Sequence, residues 1–174
     1  FKKGLADPFY IDISGNNLLK RASIMGSIKL VKKFLELGVA VSEPDDDGFT
    51  SLHNAAFLSD SGTSYKIVDE LVKHPQDFNL KTEEGFTATE HAFNQINYDA
   101  AARIIEAGGR VPESAYIKQN DQVMPLWVQL VSHLKYQGDV ERIIRLIKGG
   151  LDIKKTSYKS YSGKKSELNI LGVV

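Results

Sequence analysis

Apolar residues fall at i, i+1, i+4 and i+5 in four segments of the chain: IKLVKKFLELG (28–38), YKIVDELVKHP (65–75), DAAARIIEAGG (99–109) and VERIIRLIKGG (140–150). That spacing lays a stripe along one face of a helix. The stripes are Leu30, Val31, Phe34 and Leu35, then Ile67, Val68, Leu71 and Val72, then Ala100, Ala101, Ile104 and Ile105. Gly38, Gly108 and Gly150 stand where a helix C-terminus favours positive φ, and Pro75 closes the second segment by another device.

A second pattern precedes each stripe. D-x-x-G-x-T-x-L-H-x-A is read at Asp45, Gly48, Thr50, Leu52, His53 and Ala55. DISGNNLLKRA places Asp12, Gly15, Asn17, Leu19 and Ala22 in the same register 33 residues earlier, and TEEGFTATEHA places Gly85, Thr87 and Ala92 there 37 residues later. NDQVMPLWVQ follows with Pro125 and Leu126, and SGKKSELNIL begins a weaker fifth copy with Ser166 and Leu168. Insertions fall around SDSGTS (59–64), near PESAYI (112–117) and around Lys135 to Gly138. One helix pair cannot bury its apolar faces alone, so such units are expected to stack into a continuous core.

The chain resembles the ankyrin repeat family, whose T-P-L-H-x-A signature lies in a 33-residue unit of a turn and two helices. Thr50-Ser51-Leu52-His53-Asn54-Ala55-Ala56 is one substitution from it. Asn17, Leu18 and Lys20 depart from it in the first copy, Thr89 and Glu90 in the third, and Trp127 in the fourth. The resemblance implies an all-α helical solenoid of about 4.5 units near 12–44, 45–81, 82–118, 119–160 and 161–174, with residues 1–11 as a leader or cap. Gly48 and Gly85 suit the turns, where Asp45 and Thr82 can bond to nearby backbone. Thr50 and Thr87 are placed to cap the first helix of their units. The resemblance further implies that His53 is turned into the stack and bonds between neighbouring turns.

Composition narrows the function. With 22 basic and 22 acidic residues, the 174-residue chain carries no global charge to attract nucleic acid. No apolar run is long enough to span a bilayer. The absence of cysteine excludes disulfides, thiol nucleophiles and zinc–thiolate sites. A start at Phe1 is expected of an excised fragment or of a mature form whose targeting segment is gone, which leaves a cytoplasmic or an exported protein open.

The chemistry-bearing stretch DDDGFTSLHNAAFL (45–58) joins three aspartates to His53. A hydrolase using His53 and Asp45 is one reading, but the repeat register makes them scaffold. An EF-hand alignment on Gly48 puts Asn54 where the bidentate glutamate belongs. Gly163-Lys164-Lys165-Ser166 resembles the end of a phosphate-binding loop, yet Tyr158 holds the place of its first glycine. His74, His91 and His133 fall in different units without metal-ligand spacing. No cofactor and no catalytic residue is expected.

What remains is a contact surface. The residues before the turn glycines are Ile13-Ser14, Asp46-Asp47, Glu83-Glu84 and Asn120-Asp121. Stacking would set them roughly 10 Å apart as an acidic stripe, with a basic end at Lys154, Lys155, Lys159, Lys164 and Lys165. Phe49 and Phe86 either anchor a partner or pack adjacent hairpins together. Trp127 fits packing against a neighbouring unit. Carrying the family's partner-facing slots onto this chain selects Asp46, Asp47, Phe49, Phe57, Leu58, Glu83, Glu84, Phe86, Asn94, Gln95, Asn120 and Asp121. The expectation is a monomeric protein-interaction module whose partner carries a basic patch. It would act as a stand-alone bacterial binder or immunity-like inhibitor. The alternative is a targeting module of a larger protein, such as a secreted bacterial effector.

Overall fold

The computed structural model describes residues 7–112, 137–152, 158–159 and 165–166. Seven helices lie among them: α1 (Leu18–Ile24), α2 (Ile28–Glu36), α3 (Ser51–Ala56), α4 (Ser61–Leu71), α5 (Ala88–Asn94), α6 (Tyr98–Glu106) and α7 (Gln137–Lys148). They form two layers. The inner helices α1, α3 and α5 lie side by side, and the outer helices α2, α4, α6 and α7 run behind them in the same order. The architecture is the all-α solenoid expected. Among the described residues a two-residue antiparallel ladder departs from it, β1 (Tyr158–Lys159) with β2 (Lys165–Ser166), in which Tyr158 pairs with Ser166.

The inner helices start as the threonine and asparagine slots dictate. Asn17, Thr50 and Thr87 sit in extended backbone, and each side chain accepts the N–H three residues on. The predicted second helix of the second unit needs correction. It begins at Ser61, capped by Asp60, and ends at Leu71 rather than running over 65–75. The inserted residues thus lengthen α4 to 11 residues against nine in α2 and α6, and the helix stops before Pro75 is reached.

The core is the shared interior of the two layers. Leu19, Val31, Leu52, Ala55, Ile67, Val68, Leu71, Ala92, Ala100, Ala101 and Ile104, all predicted stripe or signature positions, are buried, as is Phe93. Of the first stripe, Leu30 is exposed and Phe34 and Leu35 are half-buried. Small residues at the inner-helix slots let α1, α3 and α5 approach closely. On the outer layer, ion pairs cross from unit to unit: Lys32 to Glu70 at 3.2 Å, Arg103 to Asp69 at 2.8 Å and Arg145 to Asp99 at 3.2 Å. These pairs are partly buried and link the outer helices of successive units.

The hairpins stack more tightly than helices do. Asp46 N–H donates to Ser14 O at 3.3 Å, and Glu83 N–H donates to Asp47 O at 2.9 Å. Successive tips are therefore in backbone contact, near strand spacing, not the roughly 10 Å expected from helix packing. Gly48 is what permits it. Its φ is +81°, and a Cβ there would lie 2.9 Å from Thr82 Cα.

Candidate partner-binding face

Three unlike residues fill the slot that His53 holds in the signature, and the structure shows what each does. His53 Nδ1 accepts from the Thr50 backbone N–H at 3.2 Å and lies 2.8 Å from Thr50 Oγ1. The proton therefore sits on Nε2, which donates to Leu80 O in the next unit at 3.0 Å. Burial, together with the nearby His91, pushes the imidazole pKa down to about 4. In the third unit Glu90 Oε2 accepts from Thr87 N–H at 2.7 Å and closes a capping box.

The first unit differs, because an ammonium cannot accept a hydrogen bond. Lys20 is fully buried and donates from Nζ to Gly15 O at 2.5 Å, 4.0 Å from Asp45 Oδ2. Burial lowers its pKa, while Asp45, Glu43, Asp12 and Asp46 act in the opposite direction. A positive charge thus lies beneath the acidic tips. Sequence reasoning registered Lys20 only as a departure from the signature.

Above this layer sit the aromatics. Phe49 lies 5.3 Å from His91 and 5.9 Å from His53, ring centre to ring centre. Phe57 meets His91 edge-on at 5.3 Å, and Phe86 approaches it at 5.6 Å. His91 is the hub of three phenylalanines from the second and third units, and its ring stands 5.9 Å from that of His53. Its Nε2 is buried without a partner among the described residues, and burial depresses its pKa against the opposing pull of Glu84 and Glu90. Spacing alone marks His91 only as a surface or core histidine. Its signal was a register one: it stands in the slot of Arg21 and Asn54, one turn before the exposed Ile24, Phe57 and Asn94.

The sequence-selected residues divide accordingly. Asp46, Asp47, Glu83 and Glu84 are exposed on touching hairpin tips. Asp45 is turned inward, accepting Phe49 N–H at 2.7 Å and Asp47 N–H at 3.2 Å. Phe57 is 51% and Phe86 38% exposed, so each presents one face outward and the other to His91. Phe49 is half-buried. Leu58 is half-buried too, packed against the core, and its carbonyl accepts from Asn97 Nδ2 at 2.5 Å. Asn94 is exposed and Gln95 half-buried. Asn120, Asp121, Trp127 and Lys154, Lys155 and Lys164 lie outside the described residues.

Next to Gln95 stands Ile96, 62% exposed with φ +61°. A β-branched residue in that region is strained; the first unit uses Gly26 in the same slot, at φ +66°. Among the described residues no three His, Asp or Glu side chains gather as a metal site, and no helix is long and apolar enough to cross a membrane.

No family model matches the chain, and no curated protein matches it. Among solved structures it is similar to an ankyrin repeat domain from Acinetobacter baumannii, with a TM-score of 0.57 and 25% identity. The match covers 61% of this chain and 55% of that one, so it spans little more than half of the neighbour's length. Together with the helix pairs, this likeness identifies an ankyrin-like solenoid. That scaffold generally serves protein interaction rather than catalysis.

Proposed function

We propose that the chain binds a partner protein through the face built from hairpin tips and inner helices across its first three units. The observation that carries this is the cluster of Phe49, Phe57 and Phe86 around His91, rimmed by Asp46, Asp47, Glu83 and Glu84. Rigid aromatics held from behind make anchors at low entropic cost. Backbone contact between the tips crowds four carboxylates onto two adjacent hairpins, an unfavourable arrangement that a cationic partner relieves. The partner is accordingly one with a basic patch beside an apolar contact. A stand-alone bacterial binder or inhibitor is the role we favour, in keeping with the bacterial neighbour; a targeting module within a larger effector would use the same face.

The test is capture from the native host with the unaltered chain, with Phe57→Ala/Phe86→Ala, and with Asp46, Asp47, Glu83 and Glu84 reversed to lysine. A partner retained by the first and lost by both variants, all three folded by circular dichroism, supports the reading. A partner held equally by all three refutes it.

A further inference from the structure

The outer face of the first unit repeats, slot for slot, the surface that the next two units bury. Leu30 is 39% exposed, whereas Ile67 and Ala100 in its slot are at 0%. Phe34 and Leu18 are only half-buried. Their counterparts Leu71 and Ile104, and Ser51 and Ala88, are buried. A terminal unit of a solenoid needs a polar outer face, and this one is apolar.

The hairpin ladder is open at the same end. Asp46 and Glu83 each donate their N–H to the preceding tip. Ile13 holds their slot, its N–H has no acceptor among the described residues, and its side chain is wholly exposed.

The residues leading into the unit are the third observation. Allowing one extra residue before Asp12, Phe1-Lys2-Lys3-Gly4-Leu5 matches the pattern of Ile147-Lys148-Gly149-Gly150-Leu151 and of Leu35-Glu36-Leu37-Gly38-Val39. Both counterparts are the close of an outer helix, a glycine, and an apolar residue that is buried, Leu151 or Val39. Asp7 then accepts Phe9 N–H at 2.9 Å, the turn that Asp77 makes with Asn79 N–H at 2.9 Å between the second and third units.

We propose that this face is a stacking surface for one further helix pair of the same class, supplied by the same polypeptide and running into Phe1. Its helices cover Leu18, Leu30 and Phe34, and its hairpin carbonyl accepts the Ile13 N–H. Stacking there continues the interface already made twice within the chain. A second copy is the rival occupant; the helix-closing pattern at residues 1–5 favours the unit in cis. The inference is independent of the partner-binding face, which lies on the hairpin and inner-helix side.

The experiment places a copy of residues 78–104 ahead of Phe1, so that the outer-helix stripe runs on in register. The parent chain and the fusion are each compared with their Leu30→Glu variants. In the fusion the Ile13 amide is expected to exchange at least about tenfold more slowly, and the thermal midpoint to rise by roughly 3–5 °C. Leu30→Glu should lower the midpoint of the fusion by a similar amount and leave that of the parent within about 1 °C. A second fusion carrying residues 41–71 guards against one graft failing to fold. Failure of both fusions to protect Ile13 overturns the proposal. So does a parent chain that sediments as a dimer which Leu30→Glu dissolves, because the occupant is then a second copy.

Discussion

Acidification should loosen this protein well above the pH at which its carboxylates titrate, and His53 is the reason. In the folded chain Nδ1 is occupied by the Thr50 N–H and hydroxyl, and Nε2–H by Leu80 O. Protonating Nδ1 would aim one donor at another and break the helix cap, although Nε2–H would keep its bond to Leu80 O. Burial adds to this, holding the pKa at about 4 against 6.5 for a free histidine. The unfolded chain therefore takes up a proton below pH 6.5 that the folded chain refuses until about pH 4. The stability tied to neutral His53 is complete above pH 6.5 and is lost as pH falls to about 4. The shift corresponds to about 2 kcal/mol lost by pH 5 and about 3 kcal/mol by pH 4. His91, also depressed, adds in the same direction. Asp69 and Glu70 have lowered values as well, but their window opens only below their free values of 3.8 and 4.5. Urea unfolding followed by circular dichroism at pH 7.5, 6 and 5 isolates the histidines. His53→Gln should remove most of the slope. A wild-type stability that is flat from pH 7.5 to 5, or a slope that His53→Gln leaves intact, would refute the argument.

Other consequences are simpler to read. Gly48→Ala forces a side chain into left-handed backbone and against Thr82, and should cost about 2 kcal/mol or more in urea unfolding. Ile96→Gly relieves strain at a mostly exposed side chain; after glycine's extra backbone entropy it should stabilise by about 0.5–1 kcal/mol, seen as a higher urea midpoint. Lys20→Met takes the ammonium away from Gly15 O and Asp45 and should cost about 1–3 kcal/mol, read by urea unfolding. Asp45→Ala, which strands the Lys20 ammonium and two hairpin N–H groups, should cost about 3 kcal/mol by the same measurement.

Much of the scaffold was legible because the stacking core needs apolar residues at fixed intervals. Val31, Val68 and Ala101 are one slot read three times, and all are buried. Capping was legible for the same reason: an N-cap needs a short oxygen-bearing side chain, and Asn17, Thr50 and Thr87 supply one. The extra turn of α4 was not visible, since Asp60 and Ser61 read equally as a loop and as a helix start. The contact between hairpin tips was hidden too. It follows from how closely Gly15 and Gly48 let the next backbone approach, which no apolar period encodes.

The candidate face shows why matching residues to a signature undersold it. His53, Glu90 and Lys20 share one slot, but only the first two can accept the cap N–H. Lys20 gives that up, and its ammonium supports a hairpin carbonyl and faces Asp45 instead. The slot one residue further on holds Arg21, Asn54 and His91, and there the family pattern specifies nothing. His91 packs against three aromatic rings while its own Nε2 has no partner among the described residues. A residue whose polar atom is buried without reward, beneath two half-exposed phenylalanines, is poorly explained by stability alone. Its geometry makes sense as the backing of a contact surface. His91→Leu should accordingly preserve or raise stability while weakening partner capture, and a variant that loses stability without losing the partner would show that the cluster is only core.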